Sequence, residues 1–291
     1  MSVSTKVSQP DNIAAVLNTL SADDEALCLS GGATLVAMLN ANLVDPSTLV
    51  SLKNIPELSG LKQNSDGSIE IGAMSRHAMS AASELLVGSN RGIRDAASKI
   101  ANPTVRNMGT MGGSISFSDP GADYPPALVA ADAEIEILSA SGSRRVAASD
   151  FFVDWYETAL KPGEIVRAIH LPAADPDAIG FHEKFARVEG DFATVSVNVV
   201  LALDELNCRM IRIAIGACGP TPVRDIDVEA TLIGNPLDEA TLIAAGEQLA
   251  RACDPMDDMR GSAEYRLNLV PQLVARAALR ARDLLKLGVA S

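Results

Sequence analysis

Asn102-Pro103-Thr104-Val105-Arg106-Asn107-Met108-Gly109-Thr110-Met111-Gly112-Gly113-Ser114 is the stretch on which the fold turns, and Ser30-Gly31-Gly32-Ala33-Thr34-Leu35 is its shorter counterpart. Each carries a glycine pair followed by small hydroxyl residues, and each is read as following an apolar run of strand character. Paired glycines let backbone N–H groups turn toward a ligand with no Cβ in the way, and they permit positive φ. Two such loops point to one elongated, phosphorylated cofactor held from two sides. A lone Gly-Gly pair is more often only a turn, so its setting decides. Here Ala26-Leu27-Cys28-Leu29 reads as a short strand, and residues 34–42 are apolar and free of Pro and Gly, which allows a helix. That layout puts the first loop at a helix start, where unpaired N–H groups favour an anion. Neither G-x-x-x-x-G-K-S/T nor G-x-G-x-x-G occurs, which excludes a P-loop and the usual dinucleotide fingerprint.

Composition narrows the classes further. The 291 residues are enough for two modest domains, and 47% hydrophobic with 21% charged residues is ordinary for a globular protein. Aromatic residues are only 3%, so the core must be built from Ala, Val, Ile and Leu. A net charge of −13 argues against nucleic acid or an anionic membrane as partner, because neutralising phosphates takes Lys and Arg. It also means that a bound pyrophosphate is held by local N–H groups against an unfavourable overall field. No apolar run reaches the roughly 18 residues a transmembrane helix needs. The polar start, residues 1–12, lacks the layout of a secretory signal. Cys28, Cys208, Cys218 and Cys253 show no C-x-x-C spacing, so disulfides, a zinc site and an iron–sulfur cluster within the chain are not expected. The expected location is the cytoplasm. His77, His170 and His182 are not at ligand spacing, and no metal site is expected.

Along the chain, Asp11 or Asn12 is placed to cap a helix with Ile13, Val16, Leu17 and Leu20 on one face. Strands are expected near 49–52 and 68–73, and helices over 80–86 and 92–100, with Pro103 ending the second. Pro125-Pro126 opens a short helix, and Ile135, Ile137 and Val146 about a Ser141-Gly142 turn predict a hairpin. Asp175-Pro176-Asp177 reads as a linker, followed by strands over 195–203 and 211–215. Asp238 is placed to cap a helix, and the last helix is expected to restart at Pro271 and stop at Gly288.

With these residues assembled, a family resemblance becomes visible. The 102–114 stretch resembles the VRN-x-GT-x-GG segment of the FAD-binding medium subunits of molybdenum hydroxylases, the carbon monoxide dehydrogenase and xanthine dehydrogenase family. Residues 30–35 resemble that family's first glycine loop, and Asp119-Pro120-Gly121-Ala122-Asp123-Tyr124-Pro125 its DPAADLP. The stretches 158–165, 184–193, 214–224 and 262–266 resemble further family segments in collinear order. The resemblance implies an α+β protein. Residues 1–175 would form a p-cresol methylhydroxylase-type FAD-binding domain of two α+β subdomains, about 1–58 and 59–175. Residues 176–291 would form a C-terminal α+β domain of the CO dehydrogenase flavoprotein type. It also implies a heterotrimer, paired into a dimer of heterotrimers. A large subunit would carry the molybdenum cofactor, and a small subunit would carry 2Fe-2S clusters. The FAD of this chain would pass their electrons to an external acceptor.

Roles follow from the same resemblance. Gly31, Gly32, Ala33, Thr34 and Leu35 would face the FAD pyrophosphate, with Thr110, Gly112, Gly113 and Ser114 approaching from the second subdomain. Ser30, Ala33 and Ser114 depart from the commoner family residues, so only backbone contact is implied at Ala33. Asp123 would accept hydrogen bonds from cofactor hydroxyls, or cap a turn beside Pro125. Ile165 or Val166 would line the flavin or adenine cavity, or serve as plain core. Lys184 would lie near the isoalloxazine, or be a solvated surface lysine. Phe192 stands where some relatives place an aromatic ring near the flavin, with core as the favoured reading, and Arg106 is read as structural or facing the iron–sulfur partner. No catalytic residue is expected in this chain. Two other readings compete: a self-contained flavin oxidoreductase of the same fold, and a flavin-free scaffold subunit.

Overall fold

A computed structural model of the chain describes residues 5–288. The first four residues of the polar start, and residues 289–291, therefore lie outside the described part.

The first unit runs β1 (Lys6–Ser8), α1 (Ile13–Ala22), β2 (Leu27–Leu29), α2 (Leu35–Asn40) and β3 (Thr48–Ser51). Its three strands are parallel in the order β1-β3-β2. Asn12 is the cap of α1, its side chain accepting the Ala15 N–H, and Val16, Leu17 and Leu20 bury the helix against Val50 and Leu52.

The second unit is built on an antiparallel five-stranded sheet. In chain order come β4 (Leu61–Gln63), β5 (Ile69–Gly72), α3 (His77–Ala81), α4 (Arg91–Lys99), α5 (Pro103–Met108), α6 (Met111–Phe117) and α7 (Tyr124–Ala130). The hairpin β6 (Glu134–Ser139) and β7 (Gly142–Ala147), the turn α8 (Ala148–Phe151), β8 (Phe152–Asp154), β9 (Glu157–Thr158) and β10 (Ile165–Leu171) complete it. The sheet order is β4-β5-β10-β6-β7, with Ile69, Ile71, Ile135, Ile137 and Ile169 buried on its helix-covered side.

The third unit holds β11 (Ala178–Phe185), β12 (Val195–Asp204) and β13 (Asn207–Gly216) in one antiparallel sheet, then α9 (Ile226–Leu232), α10 (Glu239–Arg251) and α11 (Ala263–Lys286). Helices α10 and α11 cover one face through Leu242, Leu249, Val270 and Val274. Helices α4 and α7 pack against the other face and so lie between this sheet and the second unit.

Several expected elements differ. Pro103 does not end a helix but begins one, because Asn102 caps α5 through the Val105 N–H and Pro is favourable at a first helical position. The run before the second glycine pair is therefore helical rather than a strand, and the pair itself lies in the first turn of α6. The helix expected over 80–86 is only His77–Ala81, stopping at Ala82. Pro271 lies inside one 24-residue helix instead of starting a new one. Ser262 caps α11 through the Tyr265 N–H, and burial of Val270, Val274 and Ala278 outweighs the one backbone hydrogen bond that Pro271 removes.

Candidate functional site: a cleft between two glycine pairs

The two glycine pairs meet, although about eighty residues separate them in the chain. The Thr110 hydroxyl lies 3.2 Å from the Ser30 hydroxyl. A Cβ on Gly31 would sit 2.2 Å from the Met108 carbonyl oxygen, and one on Gly113 would sit 2.5 Å from the Ser30 Oγ. Gly32 has φ of +76°, a conformation that other residues rarely adopt. Gly31 is thus required by close approach of the other loop's backbone and Gly32 by its backbone conformation, while a side chain at Gly113 would displace the Ser30 and Thr110 hydroxyls.

The pairs then divide the work. In the second, the Met111 and Gly112 N–H groups donate to the Ser75 and Ala73 carbonyls, at 2.9 and 2.8 Å. Gly113 donates to the Thr110 hydroxyl at 3.2 Å, and Ser114 to the Thr110 carbonyl at 3.0 Å. In the first, the N–H groups of Gly31, Gly32, Ala33, Thr34 and Leu35 have no acceptor among the described residues. Backbone N–H groups left unsatisfied beside a cleft are suited to an anion. Helix α2 has only six residues, fewer than expected, so the loop N–H groups rather than a helix dipole provide the attraction.

Both loops line one cleft of about 880 Å³, in the upper part of the range for small-molecule sites. Gly31, Gly32, Ala33, Thr34, Leu35, Thr110, Gly112, Gly113, Ser114, Asp123, Ile165 and Lys184 all line it, as does Val166. Ile165 and Val166 are 4% and 5% exposed, so each is at once core and cleft wall.

Asp123 does not cap a turn. It stands before α7 without a capping hydrogen bond, and its carboxylate accepts from Lys184 Nζ at 2.8 Å and His182 Nε2 at 3.0 Å. Burial pushes this carboxyl up, but the hydrogen bond from His182, with the charge and hydrogen bond of Lys184, outweighs it and holds the group below the usual carboxylate range. Lys184 is not a surface lysine: its side chain is 5% exposed, and Nζ also donates to the Lys99 carbonyl at the end of α4. Phe192 is not core. It is 44% exposed at the cleft rim, with the Arg260 guanidinium 5.2 Å from its ring. Arg106 is structural, donating to the Ile100 and Ala101 carbonyls at 2.8 and 3.0 Å.

His77 belongs to the wall and was not visible as such in the sequence. It lines the cleft against Gly109, with Nδ1 3.1 Å from the Tyr124 hydroxyl. Burial lowers its imidazole to about 4, with the Asp123 charge opposing part of that effect. No sequence signal marks it: it lies four residues past Ala73, whose contact with Gly112 appears only in the fold.

Residues with free N–H donors, glycines packed too closely for a Cβ, and a long cleft with an ionised carboxylate and a lysine fit a flavin dinucleotide. Comparison with known proteins agrees. Residues 3–174 match the family described as the FAD binding domain in molybdopterin dehydrogenase, and residues 181–281 match the CO dehydrogenase flavoprotein C-terminal domain. The chain is 32% identical to the nicotine 6-hydroxylase medium subunit of Paenarthrobacter nicotinovorans, over 95% of this chain and 96% of that one. It is likewise 32% identical to the carbon monoxide dehydrogenase medium chain of Hydrogenophaga pseudoflava, over 90% and 91%. Among solved structures it resembles Cu,Mo-CO dehydrogenase in its cyanide-inactivated form, with a TM-score of 0.92 and 32% identity over 97% and 99% of the two chains. Quinoline 2-oxidoreductase from Pseudomonas putida 86 gives a TM-score of 0.91 at 30% identity, over 96% and 97%. No helix among the described residues is long and apolar enough to cross a membrane. The chain belongs to the FAD-binding medium subunits of the molybdenum hydroxylases, the oxidoreductase family of carbon monoxide and xanthine dehydrogenases.

Proposed function

We propose that this chain holds FAD in the cleft and relays electrons from the 2Fe-2S clusters of a small partner subunit to an external acceptor. The organic substrate would be oxidised at the molybdenum cofactor of a large partner subunit. The observation that carries the reading is the run of N–H groups from Gly31 to Leu35 without a partner among the described residues, lining a cleft that the second glycine pair also lines.

When bound, FAD supplies the two-electron redox chemistry, and the chain binds and orients it. Gly31 to Leu35 would donate to the pyrophosphate, with Thr110, Gly112, Gly113 and Ser114 forming the opposing wall. Asp123 would accept from cofactor hydroxyls, Ile165 would pack on a ring, and Lys184 would bring positive charge toward the flavin. We assign residues 1–175 to the FAD-binding domain and 176–291 to the C-terminal domain, the change falling at Asp175-Pro176-Asp177. The names of the relatives, a medium chain or one subunit of a dehydrogenase complex, support a heterotrimer. A dimer of such heterotrimers in the cytoplasm is the assembly we assign.

Co-expression with the two partner subunits and anaerobic titration of the purified complex tests this. The expected result is one FAD per copy of this chain, with iron–sulfur and flavin bands bleaching together as reductant is added. A complex that assembles without flavin absorbance overturns the reading.

A further inference from the structure

We propose that His182 is a positioning residue for the cofactor cleft: it grips one oxygen of Asp123 while Lys184 grips the other, aiming the carboxylate at the bound nucleotide. This rests on the FAD reading above and adds to it a residue that does not itself line the cleft.

The geometry begins with the alternation of β11. Gly180, His182 and Lys184 share one face of the strand, and Glu183 points to the other, where Arg276 of α11 meets it at 2.6 Å. A Cβ at Gly180 would lie 2.5 Å from the Ser89 carbonyl oxygen and 2.6 Å from the Gly92 nitrogen. The strand therefore lies directly against the start of α4, and His182 is sealed beneath it with no exposed surface. Opposite it in register stands Asn198 of β12, whose side-chain amide lies 3.4 Å from His182 Nδ1. With Nδ1 accepting from that amide, the ring proton sits on Nε2 and is donated to Asp123 Oδ1 at 3.0 Å. Asp123 Oδ2 receives Lys184 Nζ at 2.8 Å, and the same Nζ reaches the Lys99 carbonyl at 3.1 Å. Lys99 in turn donates its own Nζ to the His182 carbonyl. The carboxylate is held at both oxygens by groups fixed to one strand and one helix end.

An ionised carboxylate has about four lone-pair sites. Two are used by His182 and Lys184, and the residue lines the cleft, so the remaining ones are available to hydroxyls of the nucleotide. Without His182, the buried carboxylate keeps only one of its side-chain donors. It then turns on its Cβ–Cγ bond or takes up a proton, and either change removes an aimed acceptor.

The test uses the assembled complex and compares His182→Leu, which fills the space without a donor, with His182→Gln, whose amide restores one. FAD dissociation constant, flavin absorption band shape and midpoint potential are read alongside thermal stability. His182→Leu is expected to weaken FAD binding about tenfold and to move the flavin band and potential. His182→Gln should recover most of both. Should His182→Leu impair assembly, His182→Ala, Asp123→Asn and the two combined give the answer, since alanine removes the donor without adding bulk. If His182 acts through Asp123, the second substitution adds nothing to the first. Equal loss in the Leu and Gln variants, unchanged FAD binding and spectrum in the Leu variant, or additive effects of the pair would each overturn the proposal. A wild-type complex without flavin would instead overturn the FAD reading, so the two failures are distinguishable.

Discussion

A methyl group at Gly31 would sit 2.2 Å from the Met108 carbonyl oxygen and 2.7 Å from the Gly109 Cα, both backbone atoms that cannot swing aside. Gly31→Val therefore forces the two loops apart. Flavin content of the purified complex should fall at least tenfold, an affinity loss of about 1.4 kcal/mol or more. Gly113→Val, which collides with the Ser30 Oγ, should do the same. Gly219→Ala, where the added carbon meets nothing closer than 3.6 Å, should retain full flavin and serves as the control. His77 makes a different prediction. Unfolded, its imidazole ionises near 6.5; folded, it stays neutral until about 4. Between those values the unfolded chain binds the extra proton, so stability falls as pH drops from 6.5 to 4 and levels off below. The loss is roughly 3 kcal/mol, at about 1.4 kcal/mol per pH unit. Chemical denaturation of wild type and His77→Gln at pH 7 and pH 4.5 checks this. The acid-induced loss should be smaller in the variant, and equal losses would contradict the assignment.

At the scale of elements, α10 and α11 cross so closely that a Cβ on Gly246 would lie 2.5 Å from the Pro271 Cα. Gly246→Ala should cost about 1–3 kcal/mol by overpacking, read as a lower melting temperature with unchanged flavin content. This contact also explains how Pro271 fits within a continuous helix, since packing on a shared core outweighs local propensity. Such long-range packing is what sequence reading could not supply. Caps were legible, because Asn12 and Asp238 act on their own first turns, accepting from Ala15 and Thr241. The hairpin over β6 and β7 was legible for the same local reason. Short strands such as β1, β4 and β9, of two or three residues each, have too little pattern to announce themselves. Pro103 misled because proline both ends and begins helices, and only the Asn102 side chain decides which.

For the whole molecule, three units converge on one cleft: the parallel sheet brings Gly31 to Leu35, the second unit brings Thr110 to Asp123, and β11 brings Lys184. The glycine loops were readable because their chemistry lies in consecutive residues. The partnership of Asp123 with His182 was not, since 59 residues separate them and only the folded sheet makes them neighbours. The different use of the two pairs was equally hidden, because the acceptors at Ser75 and Ala73 lie far from Met111 and Gly112 in the chain. With a net charge of −13, the protein offers a dinucleotide no general attraction, so backbone donors must hold its phosphates. A structure of the assembled complex at a resolution that shows the cofactor tests this most directly. The account predicts pyrophosphate oxygens about 2.7–3.2 Å from backbone nitrogens within Gly31 to Leu35, beside Gly113. A pyrophosphate held elsewhere, with those N–H groups facing water alone, would contradict it.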